Sequence, residues 1–235
     1  MRVDVVIDPY TPGQIPQTLS PHKSSRLHAP VWSLSAIRIN HQSKGGTHMT
    51  IENLPTLETE RLILRRFEET DGQDIYDNYA SDPMVARCVT WNAHTSPDAS
   101  RAFAKASHAG TFGTYQWAIV LKETGHVIGS VGLVEADEEK KTGEFGYVIG
   151  RSWWNKGLVT EAMQEMLRYI FLERRFVSLE GCHDVRNPAS GKVMEKCGFT
   201  YSHEEDVFTP MKNTTVRVKV YTQTAEQYKE RVSHD

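Results

Sequence analysis

Two stretches of this 235-residue chain combine residue types whose spacing suits the holding of a charged ligand. The first, Gly150-Arg151-Ser152-Trp153-Trp154-Asn155-Lys156-Gly157-Leu158-Val159-Thr160-Glu161-Ala162, reads as a strand end, a glycine-containing loop and the first turn of a helix. A helix start leaves backbone N–H groups without intrahelical partners and carries the positive end of the helix dipole, while glycine lets a phosphate approach the main chain. Trp154, Asn155, Lys156, Gly157, Leu158, Val159 and Thr160 are therefore candidates for binding a diphosphate. An ordinary turn, in which Gly157 merely relieves a tight bend, accounts for one glycine equally well. The second stretch, Asn187-Pro188-Ala189-Ser190-Gly191-Lys192-Val193-Met194-Glu195-Lys196-Cys197-Gly198-Phe199, follows about one strand and one helix later. Asparagine before proline is a plain helix-cap signal, and its amide can also donate to and accept from a peptide-like ligand.

Other chemistries find no support. Lys156 precedes the glycine and no GxxxxGK[ST] run exists, which excludes a P-loop. Cys88, Cys182 and Cys197 are widely spaced, with no CxxC pair, and the ten histidines form no HxxxH or HxH group, so no metal is expected. His183 reads as a strand-end residue. No nucleophile elbow surrounds any Ser or Cys, so a covalent acyl-enzyme is not expected either.

The elements that must position these residues follow from periodicity. Arg61 to Phe67 is a short apolar strand, and Thr70-Asp71 offers the cap of a helix running to about Tyr79. Ser96-Pro97-Asp98 opens a second helix, Ala99 to Ala109. Trp117 to Lys122, Val127 to Glu135 and Glu144 to Ile149 are three strands, the first two joined by Glu123-Thr124-Gly125-His126. Val159, Ala162, Met163, Met166, Leu167, Ile170 and Phe171 recur at helical spacing on one face. Val177 to Cys182 is a strand, Pro188 to Cys197 a helix ended by Gly198, and Lys212-Asn213 a turn between strands 205–211 and 216–222. The tryptophans 91, 117, 153 and 154 are expected in core and pocket wall. The pattern predicts a mixed α/β sheet.

Both stretches, in this order and at this distance, resemble the acetyl-CoA site of the GNAT acetyltransferase superfamily. Leu57-Glu58-Thr59-Glu60-Arg61-Leu62 is similar to the usual opening of the branch that includes the ribosomal-protein alanine N-acetyltransferases. The resemblance covers about Leu57 to Tyr228 and implies the GNAT fold, a mostly antiparallel twisted sheet flanked by helices. It implies an N-acetyltransferase with acetyl-CoA as cosubstrate. The family's loop pattern is Arg or Gln, two variable residues, Gly, one variable residue, then Gly or Ala; here Trp154, Gly157 and Val159 stand at those places, and Val159 departs from it. Asn187 would hydrogen-bond the pantetheine arm. Glu144 lies where many relatives keep the carboxylate that takes the ammonium proton, though it could equally be a solvated strand-end acid. Where related enzymes often place an acidic tyrosine, this chain has Met194. Ser190, one turn upstream, matches the serine suspected of contacting the thiol, and Tyr201 is held in reserve. The implied chemistry is direct attack of a primary amine in a ternary complex, the acceptor being a protein N-terminal α-amine. Alternatives are a small amine of polyamine or aminoglycoside type, or a CoA-binding regulatory module without turnover. Sheet-edge homodimers are usual for similar proteins, and the sequence leaves the oligomeric state open.

Composition bounds the rest. With 39% hydrophobic and 24% charged residues the chain suits one folded domain, and no apolar run is long enough to cross a bilayer. The net charge of −3, with scattered basic residues, gives no footprint for nucleic acid. Residues 1–48 hold five Lys/Arg and two Asp of the 27 basic and 30 acidic residues, leaving 22 against 28, or −6, in residues 49–235. Their Pro-, Ser- and His-rich text is expected to be disordered. Lys44-Gly45-Gly46 is what a purine-rich ribosome-binding sequence gives when translated in frame, so Met49 is the expected start and 1–48 an artefact, a genuine extension being the alternative. Residues 49–235 form the expected acetyltransferase domain, and no leader pattern is visible, so a cytoplasmic location without membrane partner is expected.

Overall fold

The computed structural model describes residues 53–234, so the expectations for residues 1–48 and the start at Met49 lie outside the described residues. Eight strands form one sheet in the order β1-β2-β3-β4-β5-β6-β8-β7. They are β1 (Leu57–Glu58), β2 (Leu62–Arg65), β3 (Gln116–Leu121), β4 (Val127–Asp137), β5 (Thr142–Ile149), β6 (Ser178–Asp184), β7 (Thr200–Thr209) and β8 (Thr214–Thr224). Every neighbouring pair is antiparallel except β5 and β6. Among the described residues six α-helices flank the sheet: α1 (Gly72–Ile75), α2 (Pro83–Ala86), α3 (Pro97–His108), α4 (Leu158–Arg168), α5 (Pro188–Lys196) and α6 (Ala225–Val232).

The sheet separates two cores. One packs Leu62, Leu64, Trp117, Ile119, Val131 and Phe145 against Met163, Met166 and Leu167 of α4 and Met194 of α5. The other packs Ala118, Val120 and Val127 against Ile75, Tyr79, Val85 and Phe103 of the α1–α3 side. Alternating strand residues feed the two faces, so β2, β3, β4 and β5 each contribute to both cores. The apolar stripe expected on the long helix is buried throughout, from Val159 to Phe171.

Several boundaries differ from expectation. The helical stretch starts at Glu69 and runs through α1 into a π-type turn at Tyr76–Ala80. Asp71 stands at the N-cap position of α1 but makes no side-chain capping bond to it: the carboxylate accepts from Glu68 N at 2.8 Å and is clamped by Arg65 at 2.7 and 2.9 Å. The strand expected at 205–211 begins earlier, at Thr200, and gives way to a turn at Pro210–Lys212, where Asn213 takes a left-handed φ of 47°. That turn is tied to the end of α2 and the chain after it, with Lys212 Nζ donating to Ala86 O at 2.5 Å and Asn92 Nδ2 to Met211 O at 2.9 Å. Among the described residues no helix is long and apolar enough to cross a membrane.

Candidate active site

β5 and β6 lie side by side for only three residue pairs, Thr142 with Ser178, Gly143 with Leu179 and Glu144 with Glu180. Both strands then continue, to Ile149 and Asp184, without pairing to each other, so the sheet forks at Glu144. β5 stays bonded to β4, and Gly150 N donates back to Ile128 O at 2.9 Å. Alternation along the strand therefore turns the N–H groups of Tyr147 and Ile149 away from β4 and into the fork.

At the outer end of the fork the chain makes the turn Arg151–Trp153 and enters α4. Asn155 and Gly157 both take left-handed backbone conformations, with φ of 59° and 76°. Gly157 caps α4 without a side-chain bond, and the first intrahelical bond there runs from Glu161 N to Gly157 O at 3.0 Å. The N–H groups of Leu158, Val159 and Thr160 precede it and have no acceptor within the helix. Leu158 and Val159 bury their side chains in the core, so the departure from the family pattern at Val159 costs the loop nothing on its outer side. Trp154 is not core: it stands 39% exposed, with Nε1 donating to Ile149 O at 2.9 Å. Lys156 and Asn155 are exposed in the same loop.

The inner end carries the second stretch. Asn187 occupies the N-cap of α5, yet its side chain makes no capping bond; its main-chain N–H donates to Asp184 O at 2.8 Å. The half-buried amide is thus not consumed by the helix it starts. Ser190 meets a residue that pattern reading passed over: Tyr147 of β5, whose hydroxyl lies 2.8 Å from Ser190 Oγ and 2.9 Å from Ser190 O. Tyr147 could have been found by counting Phe145, Tyr147 and Ile149 onto one strand face. Tyr201 is 54% exposed on edge strand β7 and packs against Tyr221, outside this grouping. His183 packs at a tilt against Tyr221 and bonds Asp184 O through Nδ1, a structural use.

Glu144 leaves the sheet on the opposite face. Phe145 packs with the α4 side and Val148 with the α1–α3 side, so Glu144, Gly146 and Val148 face the latter. A cleft lined by Glu144, Glu180, Cys182, Glu205 and Val220 opens there. Burial, reinforced by the charges of Glu135, Glu180 and Glu205, pushes the Glu144 carboxyl up to about 8. Such a group titrates close to neutral pH, and its ionised form is a stronger base than an ordinary carboxylate. Burial holds the Cys182 thiol up at about 12, which makes it a poor nucleophile. Among the described residues no three His, Cys, Asp or Glu side chains are grouped to hold a metal ion.

Residues 61–200 match the family described as the acetyltransferase (GNAT) domain. The chain belongs to the GNAT acetyltransferase family. It is 31% identical to the uncharacterized N-acetyltransferase p20 of Bacillus licheniformis over 148 residues, 62% of this chain and 83% of the relative. A GNAT-family acetyltransferase structure from Bacillus anthracis superposes with a TM-score of 0.65 at 24% identity, covering 73% of this chain and 99% of that one. RimL, a ribosomal alpha-N-protein acetyltransferase solved with coenzyme A, gives a TM-score of 0.62 at 15% identity, covering 72% and 98%. As a GNAT enzyme this protein is an acetyl-CoA-dependent N-acetyltransferase. Its residues fit that cosubstrate: free helix-start N–H groups suit a diphosphate, and the strand fork with the uncommitted Asn187 amide suits an extended, amide-bearing arm.

Proposed function

We propose that this GNAT enzyme acetylates a primary amine, a protein N-terminal α-amine, by direct attack in a ternary complex. The observation that carries the proposal is the fork itself: β5 and β6 part at Glu144, with Glu144 on one face and Tyr147 and Ser190 on the other. When bound, acetyl-CoA supplies a thioester whose carbonyl carbon an unprotonated amine can attack. Main-chain N–H groups of Leu158, Val159 and Thr160, with the loop Trp154-Asn155-Lys156-Gly157, bind the diphosphate. Asn187 orients the pantetheine arm through its amide. N–H groups of Tyr147 and Ile149 line the fork as donors for the carbonyl oxygen, where negative charge develops. Glu144 takes the ammonium proton, directly or through water, and its neighbours Glu180 and Glu205 attract a cationic acceptor. Ser190 places its hydroxyl against the sulfur.

The α-amine acceptor is supported by the name of RimL, and a small amine is the competing acceptor. Thiol release measured against N-terminal peptides and a panel of polyamines and aminoglycosides separates the two. Activity confined to small amines overturns the peptide assignment. Failure of the native chain to bind coenzyme A in calorimetry overturns the site.

A further inference from the structure

We infer that Tyr147 is a positioning residue for Ser190, supporting the serine oxygen while the serine proton points at the sulfur of the bound cosubstrate. The inference rests on the assignment of Ser190 to the thiol end of the site. Tyr147 reaches from β5 across the fork to the first turn of α5, its ring stacked on Phe145 at 6.3 Å and 14°. Its hydroxyl has two partners at nearly equal distance, Ser190 Oγ at 2.8 Å and Ser190 O at 2.9 Å. A carbonyl oxygen can only accept, whereas each hydroxyl can both donate and accept. With the site at rest the phenol donates to Ser190 O, and Ser190 Oγ–H donates to the phenol oxygen.

Negative charge on the sulfur changes this assignment without moving a heavy atom. Ser190 O–H turns to the sulfur, and the phenol proton turns from the carbonyl to Ser190 Oγ. During transfer the amine nitrogen forms its bond to the carbonyl carbon, and the carbon–sulfur bond breaks with its electron pair left on sulfur. Glu144 receives the ammonium proton before attack, and the second proton, which the nitrogen loses as the amide forms, passes through water to the sulfur. Tyr147 keeps its own proton throughout, because burial holds the phenol above its ordinary pKa. Met194, buried in the same helix, cannot donate a proton. The strand supplies the hydroxyl support that this helix lacks.

The test uses coenzyme A with a free thiol, so no acceptor is needed. Thiolate absorbance of bound coenzyme A is titrated in the native chain, Tyr147→Phe, Ser190→Ala and the double variant. One charge-assisted hydrogen bond corresponds to about one pKa unit, a tenfold shift, so the native chain should lower the bound thiol pKa by roughly that much relative to Tyr147→Phe. The double variant should titrate like Ser190→Ala alone, and coenzyme A affinity at neutral pH should change less than about twofold. With an active acceptor, kcat should fall roughly tenfold in Tyr147→Phe while the KM for acetyl-CoA holds. Equal thiol titration in native and Tyr147→Phe protein, with both binding coenzyme A, overturns the role of Tyr147. Independent, additive shifts from the two residues do the same. Loss of coenzyme A binding by the native chain shows instead that the cosubstrate assignment has failed, and the inference falls with it.

Discussion

Glu144 occupies the last pair shared by β5 and β6, where the carboxyl is partly buried and faces acids from β4, β6 and β7. Its position on a strand was readable from the sequence, but its pKa was not, because Glu135, Glu180 and Glu205 come from three other strands. A base that titrates at about 8 is mostly protonated at neutral pH, so kcat/KM should climb tenfold per pH unit below 8 and level above it. Glu144→Gln should abolish that limb and lower the rate by about 10²–10⁴, the usual worth of general-base catalysis. An unchanged profile in the variant removes Glu144 from the proton path. Stability must follow the same ionisation. The folded protein binds this proton between the ordinary value of 4.5 and about 8, where the unfolded chain has lost it. Folding therefore gains most below 4.5 and loses the gain as pH rises through 8. Glu144→Gln should match the native melting temperature at pH 5 and exceed it at pH 9, by about 2–4 °C for each kcal/mol recovered. Calorimetric scans at the two pH values read the difference directly.

Among the elements, α4 was the most legible, since its apolar spacing and preceding loop survive in the structure unchanged. Sequence patterns gave no sign of what holds its start. Glu161, in the first turn, accepts from Thr59 Oγ1 at 2.5 Å and Arg61 N at 2.9 Å, and pairs with the Arg61 guanidinium at 2.6 Å. Arg61 also donates to Lys156 O at 3.0 Å, tying the β1–β2 turn to the loop. The partners lie about a hundred residues apart, beyond the reach of any local periodicity. For the same reason two-residue β1 and four-residue α2 went unseen: both are shorter than a period that pattern reading can detect. Glu161 would repel a diphosphate at the helix start, and Arg61 cancels that charge. Arg61→Ala should therefore weaken coenzyme A binding about tenfold, more at low salt, and adding Glu161→Gln should restore most of it. Calorimetry at two ionic strengths decides; a double variant no better than the single one would refute the charge argument. Gly157→Ala should cost about 1–2 kcal/mol, since its left-handed φ of 76° strains any side chain, and the loss appears in thermal unfolding.

At the scale of the molecule, the sheet separates two chemical tasks. The α4 and α5 face holds the free N–H groups, Asn187, Tyr147 and Ser190, and the α1–α3 face holds Glu144 and its cleft. The parallel β5–β6 pair follows from the strand–loop–helix crossover that the sequence shows, whereas the fork does not. Pairing stops after Glu144 through how β5, β6 and α5 pack together, a property of three elements and not of one. Two ligands that approach from opposite faces and meet in a fork can occupy the protein together. Burial keeps the nearby Cys182 thiol protonated, so the described residues lining the cleft include no ready nucleophile to carry the acetyl group between separate half-reactions. Initial rates measured over a grid of acetyl-CoA and acceptor concentrations should give intersecting reciprocal plots, because transfer requires both ligands at once. Coenzyme A should then compete with acetyl-CoA but not with the amine. Parallel reciprocal plots, with acetylated protein detected by mass after acetyl-CoA alone, would instead require a covalent carrier, and the two-faced division of labour would be wrong.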